Sequence, residues 1–220
     1  MRVRVKICCI ASLHEAAMAV AAGADALGLV GPMPSGPGVL DAARLTEIAA
    51  GIPPPVAGVL LTARETGRDI VDHVRQSGVS VVQVVREIDP AEAEALARLA
   101  PDVRRIQVVH VQDGGALHRI PLYAPHVHAF LLDSGRPAGA VAELGGTGRT
   151  HDWSVSADFV AQSPRPVVLA GGLNPENVGE AIARVRPFGV DVCTGVRTGG
   201  DLDGPKLAAF MAAVAGAQAR

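Results

Sequence analysis

Aromatic residues are scarce in this chain: they make up only 3% of its 220 residues, whereas 49% of the residues are hydrophobic. The predicted core must therefore be built from Val, Ala and Leu. Neither sign of charge dominates, since the formal net charge is −2, and this gives no electrostatic case for binding nucleic acid or membranes. No apolar run is long enough for a membrane span, and the first residues lack the apolar core of a secretion signal.

Cysteine is also rare. The chain has three, Cys8, Cys9 and Cys193. An odd number without a recognisable framework argues against disulfide bonding and favours a reducing compartment. We therefore expect a cytoplasmic protein.

Short apolar runs alternate with Ala-rich helical patterns, and the apolar runs recur about every 25 residues. Continuous apolar strands are typical of a parallel sheet that is covered on both faces. Eight alternations, without a G-x-G-x-x-G motif after the first strand, favour a (β/α)₈ barrel over a Rossmann-like sheet. We predict one barrel domain over residues 1–220, with strands near 3–8, 25–30, 56–61, 80–85, 104–110, 127–132, 166–170 and 188–193.

Two late strand ends carry a signal for phosphate binding. In the first, the paired glycines Gly171-Gly172 follow an apolar strand, and Asn174 and Pro175 are suited to begin a helix. In the second, Thr194-Gly195 follows the next strand. Glycines allow close backbone approach, and free N–H groups at helix starts bind phosphate. We expect these two loops to form a phosphate site at the carboxyl end of the barrel.

Four further residues lie on predicted strands or at their ends, and of these Asp133 is hard to explain by packing, whereas a buried cysteine such as Cys8 is often only a small hydrophobic residue. Cys8 ends the first strand, and Lys6 shares its face, because alternate residues of a strand point the same way. Asp133 ends the sixth strand after four apolar residues. A buried lysine needs a carboxylate partner, for which Asp133 and Asp191 are both candidates. By the same alternation, Cys8 and Cys9 are not expected to face the barrel mouth together.

Taken together, these features resemble the phosphoribosylanthranilate isomerases of tryptophan biosynthesis, which are (β/α)₈ barrels. The resemblance runs from residue 3 to about residue 212, in order along the chain. It is carried by the segments Lys6-Ile-Cys8, Ala22-Gly-Ala-Asp-Ala-Leu-Gly28, Leu131-Leu-Asp-Ser134, Gly145-Gly-Thr-Gly-Arg-Thr-His-Asp-Trp153, Leu169-Ala-Gly-Gly-Leu-Asn-Pro-Glu-Asn-Val178 and Val190-Asp-Val-Cys-Thr-Gly-Val196.

The resemblance implies an Amadori rearrangement of a small phosphorylated sugar substrate, with no cofactor and no metal. It assigns Cys8 as general base and Asp133 as general acid. Backbone N–H groups of four residues would hold the phosphate: Gly171, Gly172, Thr194 and Gly195. Further possible substrate-binding residues are Lys6, Gln83, Arg136, Gly146 and Asp191.

The pair His126 and His128 is a weak metal signature without an evident third ligand.

The chain departs from the family pattern at the end of the site that would bind the aglycone. The family usually has an arginine in the loop after strand 2, yet residues 31–39 contain none. The family's His-Gly at strand 4 is Val85-Arg86 here. Cys9 replaces a glycine, and Arg197 replaces a glutamate. Arg136, Arg149 and Arg86 are the candidates to replace the missing arginine.

These departures leave two alternatives open. The same barrel could isomerise a different phosphorylated aminosugar, or it could bind a phosphorylated ligand without turnover.

Overall fold

The computed structural model describes residues 2–33, 37–135 and 151–218. Eight parallel strands form a closed barrel in chain order, which confirms the predicted (β/α)₈ fold. The strands are β1 (Arg4–Ile7), β2 (Ala26–Val30), β3 (Ala57–Thr62), β4 (Val81–Val84), β5 (Arg104–His110), β6 (Ala129–Asp133), β7 (Val167–Leu169) and β8 (Gly189–Val192). The barrel closes through β1 and β8, which pair over four residues.

Helices follow the strands around the outside of the barrel. They are α1 (Leu13–Ala21), α2 (Ala42–Ala50), α3 (Gly67–Ser77), α4 (Pro90–Leu99), α5 (Arg119–Tyr123), α6 (Trp153–Gln162), α7 (Val178–Val185) and α8 (Gly204–Gln218). A 3₁₀ turn (Gly114–His118) leads into α5, and a second one, Thr194–Val196, follows β8. A short hairpin of β9 (Arg197–Thr198) and β10 (Asp201–Leu202) precedes α8. Within the described ranges, no helix is long and apolar enough to cross a membrane.

Strand alternation divides the apolar side chains into two layers. Residues that point outward pack against the helices in the larger cluster, which contains Leu27, Leu29 and Phe130 among others. Residues that point inward form a smaller cluster inside the barrel, which includes Val59 and Leu131. Aliphatic side chains make up most of both layers, as the scarcity of aromatic residues predicts, and the buried aromatic side chains lie in the outer cluster.

Side-chain caps fix where several of the helices begin. Asp152 accepts a hydrogen bond from the N–H of Ser154 at the start of α6. The prediction for α7 was wrong, because this helix begins at Val178 rather than at Asn174 or Pro175. The side chain of Asn174 instead accepts from the N–H groups of Glu176 and Asn177, which closes a turn before the helix.

Candidate active site

A buried ion pair lies inside the barrel at the seam between its first and last strands. Lys6 and Asp191 are register partners on β1 and β8, and Lys6 Nζ lies 2.8 Å from Asp191 Oδ1. Burial acts to lower the pKa of Lys6, but the charge and hydrogen bond of Asp191, together with the nearby Cys8 and Cys9, outweigh burial and the pKa is raised. Of the two predicted partners for Lys6, the structure selects Asp191. The pair places a fixed positive charge next to the end of β1.

Cys8 lies beside this charge, one residue beyond the end of β1. The side chains of Cys8 and Lys6 both extend over Gly28 on β2. A Cβ atom at Gly28 would lie 2.8 Å from Cys8 Sγ and 3.1 Å from Lys6 Nζ. A hydrogen bond with Cys9 lowers the pKa of Cys8; burial opposes this, and the charge of Lys6 assists it. A thiol with a lowered pKa is suited to act as a base or nucleophile.

Cys9 contradicts the expectation that the two cysteines face different ways. Both are buried in the cluster inside the barrel. Strand alternation does not apply, because β1 ends at Ile7 and Cys9 has a φ of 62°, in the left-handed region that non-glycine residues rarely adopt. Its Sγ lies 2.8 Å from the Sγ of Cys193, and all three cysteines are free thiols.

Asp133 ends β6, three strands around the barrel from β1. It alternates with Leu131 of the inner cluster, so it faces the barrel interior. His110 is its register partner on β5. Burial raises the pKa of Asp133. The nearby His110 and a 2.7 Å hydrogen bond from the N–H of Ser134 act to lower this pKa, but burial outweighs them. A raised pKa favours the protonated carboxyl group, which can donate a proton.

The loops after β7 and β8 meet at the same end of the barrel. Gly171 and Gly172 have left-handed φ angles of 84° and 65°. A Cβ atom at Gly195 would lie 2.0 Å from the carbonyl oxygen of Leu173, so the two loops touch through their backbones. Within residues 2–33, 37–135 and 151–218, no backbone acceptor bonds the N–H groups of Gly171, Gly172, Thr194 or Gly195.

Two asparagines hold the first of these loops in shape. The side-chain oxygen of Asn177 accepts from the N–H of Asn174 at 2.9 Å, and its Nδ2 donates to the carbonyl of Gly172 at 3.0 Å. These bonds fix the backbone around the paired glycines. The sequence motif was therefore informative, although its asparagines shape a turn rather than start a helix.

The structure gives mixed results for the remaining predicted site residues. Gln83 on β4 is buried, and its Oε1 has no hydrogen-bond partner in the described part of the chain. Arg136, Gly146 and Arg149 lie outside the described residues. Arg86 forms an ion pair with Glu65 at 2.9 Å. His128 Nδ1 accepts from the N–H of Arg105, and no group of three potential metal ligands occurs in the described ranges.

Sequence reasoning missed two buried charged residues that lie beside Cys8. Glu15 and Arg197 form an ion pair at 2.9 Å, and Arg197 also donates to the carbonyl oxygens of Cys8 and Cys9. Glu15 gives no signal of its own, because an acidic residue in the first turn of a helix is usually solvated. Arg197 gave a weak signal, as it stands where a glutamate is usual in the family.

Comparison with known proteins gives a consistent result. The family model for N-(5′-phosphoribosyl)anthranilate (PRA) isomerase matches residues 5–213. An N-(5′-phosphoribosyl)anthranilate isomerase of Methanocella arvoryzae is 37% identical over 88% of this chain and 88% of its own length. One from Haloarcula marismortui is 40% identical over 90% of this chain and 88% of its own.

Solved structures agree with the sequence comparison. The phosphoribosyl anthranilate isomerase of Thermotoga maritima superposes with a TM-score of 0.83 and 33% identity, covering 97% of this chain and 99% of that one. A second such isomerase, in complex with reduced 1-(o-carboxyphenylamino)-1-deoxyribulose 5-phosphate, has a TM-score of 0.81 and 31% identity over 97% and 99% of the two chains. The chain belongs to the N-(5′-phosphoribosyl)anthranilate isomerase family.

Proposed function

We propose that this protein is a phosphoribosylanthranilate isomerase of tryptophan biosynthesis, with Cys8 as general base and Asp133 as general acid. The observation that carries the proposal is the placement of these two groups. Both face the barrel interior at its carboxyl end, on strands that are three apart in the ring. The two glycine loops follow strands β7 and β8, which lie between them, and among the described residues no backbone acceptor bonds the N–H groups of Gly171, Gly172, Thr194 or Gly195.

The reaction begins with two proton transfers, and each group suits one of them. Asp133 donates a proton to the ribose ring oxygen as the C1′–O bond breaks and the nitrogen lone pair forms a C1′=N bond. The resulting iminium acidifies the C2′ proton, which the Cys8 thiolate removes to give an enaminol. Loss of the C2′ hydroxyl proton and gain of a proton at C1′ then yield the 1-amino-1-deoxyketose. These two transfers return one proton to Asp133 and remove one from Cys8, so both groups are restored. The rearrangement is an isomerisation, so it consumes no other reactant.

Electrostatics around the two groups support this division of roles. The pKa of Cys8 is lowered, which favours the thiolate, and the pKa of Asp133 is raised, which favours the neutral acid. Pairs of titratable groups whose environments shift their pKa values apart are typical of acid–base sites. Lys6, held by Asp191, stabilises the negative thiolate.

The substrate phosphate would bind the backbone N–H groups of Gly171, Gly172, Thr194 and Gly195. Binding by N–H groups suits a dianion at this position, because the left-handed glycines allow close backbone approach. Bound there, the phosphate anchors the ribose chain between Cys8 and Asp133.

A different phosphorylated aminosugar is the second candidate, and the loop after β2 favours it. A buried carboxylate on the aglycone needs a cationic partner, and residues 31–39 provide none. Arg136, three residues beyond Asp133, is our first choice to supply this charge for an anthranilate substrate.

The experiment that separates the two candidates compares phosphoribosylanthranilate with its carboxyl-free aniline analogue. Steady-state kinetics of the wild type and of Arg136→Ala are measured on both substrates. We expect Arg136→Ala to raise KM for the carboxylated substrate and to leave the analogue nearly unchanged. Equal effects on both would exclude Arg136 as the carboxylate partner, and a wild-type preference for the analogue would favour the second candidate. Rescue of a tryptophan auxotroph that lacks this isomerase tests the activity in cells.

A further inference from the structure

A buried ion pair outside the proton-transfer steps connects the two halves of the site. Arg197 Nη1 lies 2.9 Å from Glu15 Oε1, and Nη2 lies 3.1 Å from Oε2. The two side chains are only 7% and 9% exposed. Removing two charges from water is unfavourable, so a buried ion pair is by itself weak evidence for a role in stability. Its further hydrogen bonds indicate what it does.

Arg197 bonds the backbone on both sides of Cys9. Its Nη2 donates to the carbonyl oxygen of Cys8 at 3.2 Å and to that of Cys9 at 2.6 Å, and its Nη1 donates to Gly200 at 2.8 Å. Glu15 accepts from the N–H groups of Ala11 and Leu202, both at 2.9 Å. Two side chains thus tie residues 8–11, after β1, to residues 197–202, after β8.

The bonds converge on a strained segment. Cys9 has a left-handed φ of 62° although it is not glycine, and this conformation is unfavourable for a residue with a Cβ atom. Such a conformation persists only when its surroundings fix it. The guanidinium group fixes it here, since it holds the carbonyl groups on both sides of the Cys9 Cα atom. The Cys9 side chain consequently stays beside Cys8, where it lowers the pKa of the Cys8 thiol.

The other end of the connection is the loop proposed to bind phosphate. Arg197 directly follows the turn Thr194–Val196. The N–H of Asp203 donates to the carbonyl of Val196, and Lys206 Nζ donates to the carbonyl of Arg197 at 2.9 Å. Arg197 thus lies between the backbone at Cys8 and the end of this loop, and the loop end is held independently by the bonds from Asp203 and Lys206.

We infer that Arg197 and Glu15 are positioning residues, which hold Cys8 at a fixed place relative to the phosphate-binding loop. This inference rests on the proposed function, because it takes Cys8 to be the base. Arginine is required at 197 because a planar guanidinium can bond a carboxylate and several carbonyl oxygens at once, whereas a lysine ammonium is a single point of charge. The guanidinium group of Arg197 thus has a structural role.

The test is Arg197→Lys, which keeps the charge and loses the fork of donors. We expect kcat to fall about 10- to 100-fold, since small displacements of a catalytic group have effects of this size, and KM to change much less. The rising limb of the pH profile of kcat/KM should move to higher pH, because Cys9 no longer stays beside Cys8. Arg184→Lys, in the exposed pair of Arg184 and Glu180, is the matched control and should behave as the wild type does.

Thermal melting separates positioning from loss of fold, and Glu15→Gln provides a second variant if Arg197→Lys does not fold. Folded Arg197→Lys or Glu15→Gln protein with a wild-type kcat and an unmoved pH profile would overturn the inference. A readout without turnover is the pH dependence of Cys8 alkylation by iodoacetamide, located by fragmentation mass spectrometry. The pH midpoint of this alkylation should rise in the variants whatever the substrate is. If the proposed function is wrong, the midpoint still rises although turnover is absent; if this inference is wrong, the midpoint stays unchanged.

Discussion

Removing the partner of Lys6 should destabilise the protein strongly. In the wild type, Lys6 Nζ lies 2.8 Å from Asp191 Oδ1, and the Lys6 side chain is only 6% exposed. Asp191→Asn leaves this buried lysine charge without its partner. Breaking a buried pair in this way typically costs about 3–5 kcal/mol. Because natural domains are stable by only about 5–15 kcal/mol, the loss should be readily visible as a shift of the unfolding midpoint in urea.

The matched control is Glu180→Gln, which removes an ion pair whose partners are more than half exposed. Exposed pairs of this kind contribute about 0–1 kcal/mol. The double variant Lys6→Met with Asp191→Asn should recover part of the loss, because it no longer contains an unpaired buried charge. A loss below about 1 kcal/mol in Asp191→Asn would refute the reasoning, as would a double variant that is less stable than the single one.

The same pair predicts how stability depends on pH. The pKa of Lys6 is raised in the folded state. Its contribution is therefore fully present below the ordinary lysine pKa of about 10.4 and is lost as pH rises through the higher folded value. The difference in stability between wild type and Asp191→Asn should accordingly stay large from about pH 6 to 9. A difference that disappears within this range would show that Lys6 is not held charged in the fold.

Three other substitutions test the remaining parts of the site. Asp133→Asn should raise the melting temperature at pH 7 more than at pH 4. The raised pKa of the buried Asp133 means that the wild type loses stability as pH rises through that pKa, whereas the amide does not; an equal shift at both pH values would contradict this. Gly172→Val and Gly195→Ala should each weaken ribose 5-phosphate binding in calorimetry at least about tenfold, because they fill space that the backbone and ligand occupy. Gly179→Ala, where a Cβ atom meets nothing within 4 Å, is the control, and unchanged affinity in both loop variants would place the phosphate elsewhere.

Periodic patterns in the sequence predicted the barrel well, since strand alternation and helix spacing are local consequences of burial. The same alternation correctly placed Lys6 next to Cys8. The alternation rule failed at Cys9, because this residue has a left-handed conformation with a φ of 62°, which interrupts the regular alternation of side chains along a strand. Nothing in the local sequence marks that conformation, which depends on hydrogen bonds from Arg197, 188 residues away.

In the candidate site, too, some features have a local sequence signal and others depend on the fold of the whole chain. The glycine pairs and strand-end Cys8 and Asp133 carry strong local signals, because they lie where apolar strands end. The choice of Asp191 over Asp133 as the partner of Lys6 depends on which strand closes the barrel beside β1, and this is a property of the whole chain. The start of α7 was misplaced because Asn174 is equally suited to cap a helix or to close a turn.

Steady-state turnover of phosphoribosylanthranilate by the wild type, Cys8→Ala and Asp133→Asn tests the central claim most directly. Positioned acids and bases contribute about 10²- to 10⁴-fold each. The account predicts an active wild type and a loss of this size in each variant, with folding retained in both. A folded wild type without turnover, or either variant within about threefold of the wild type, far less than such a group contributes, would contradict it.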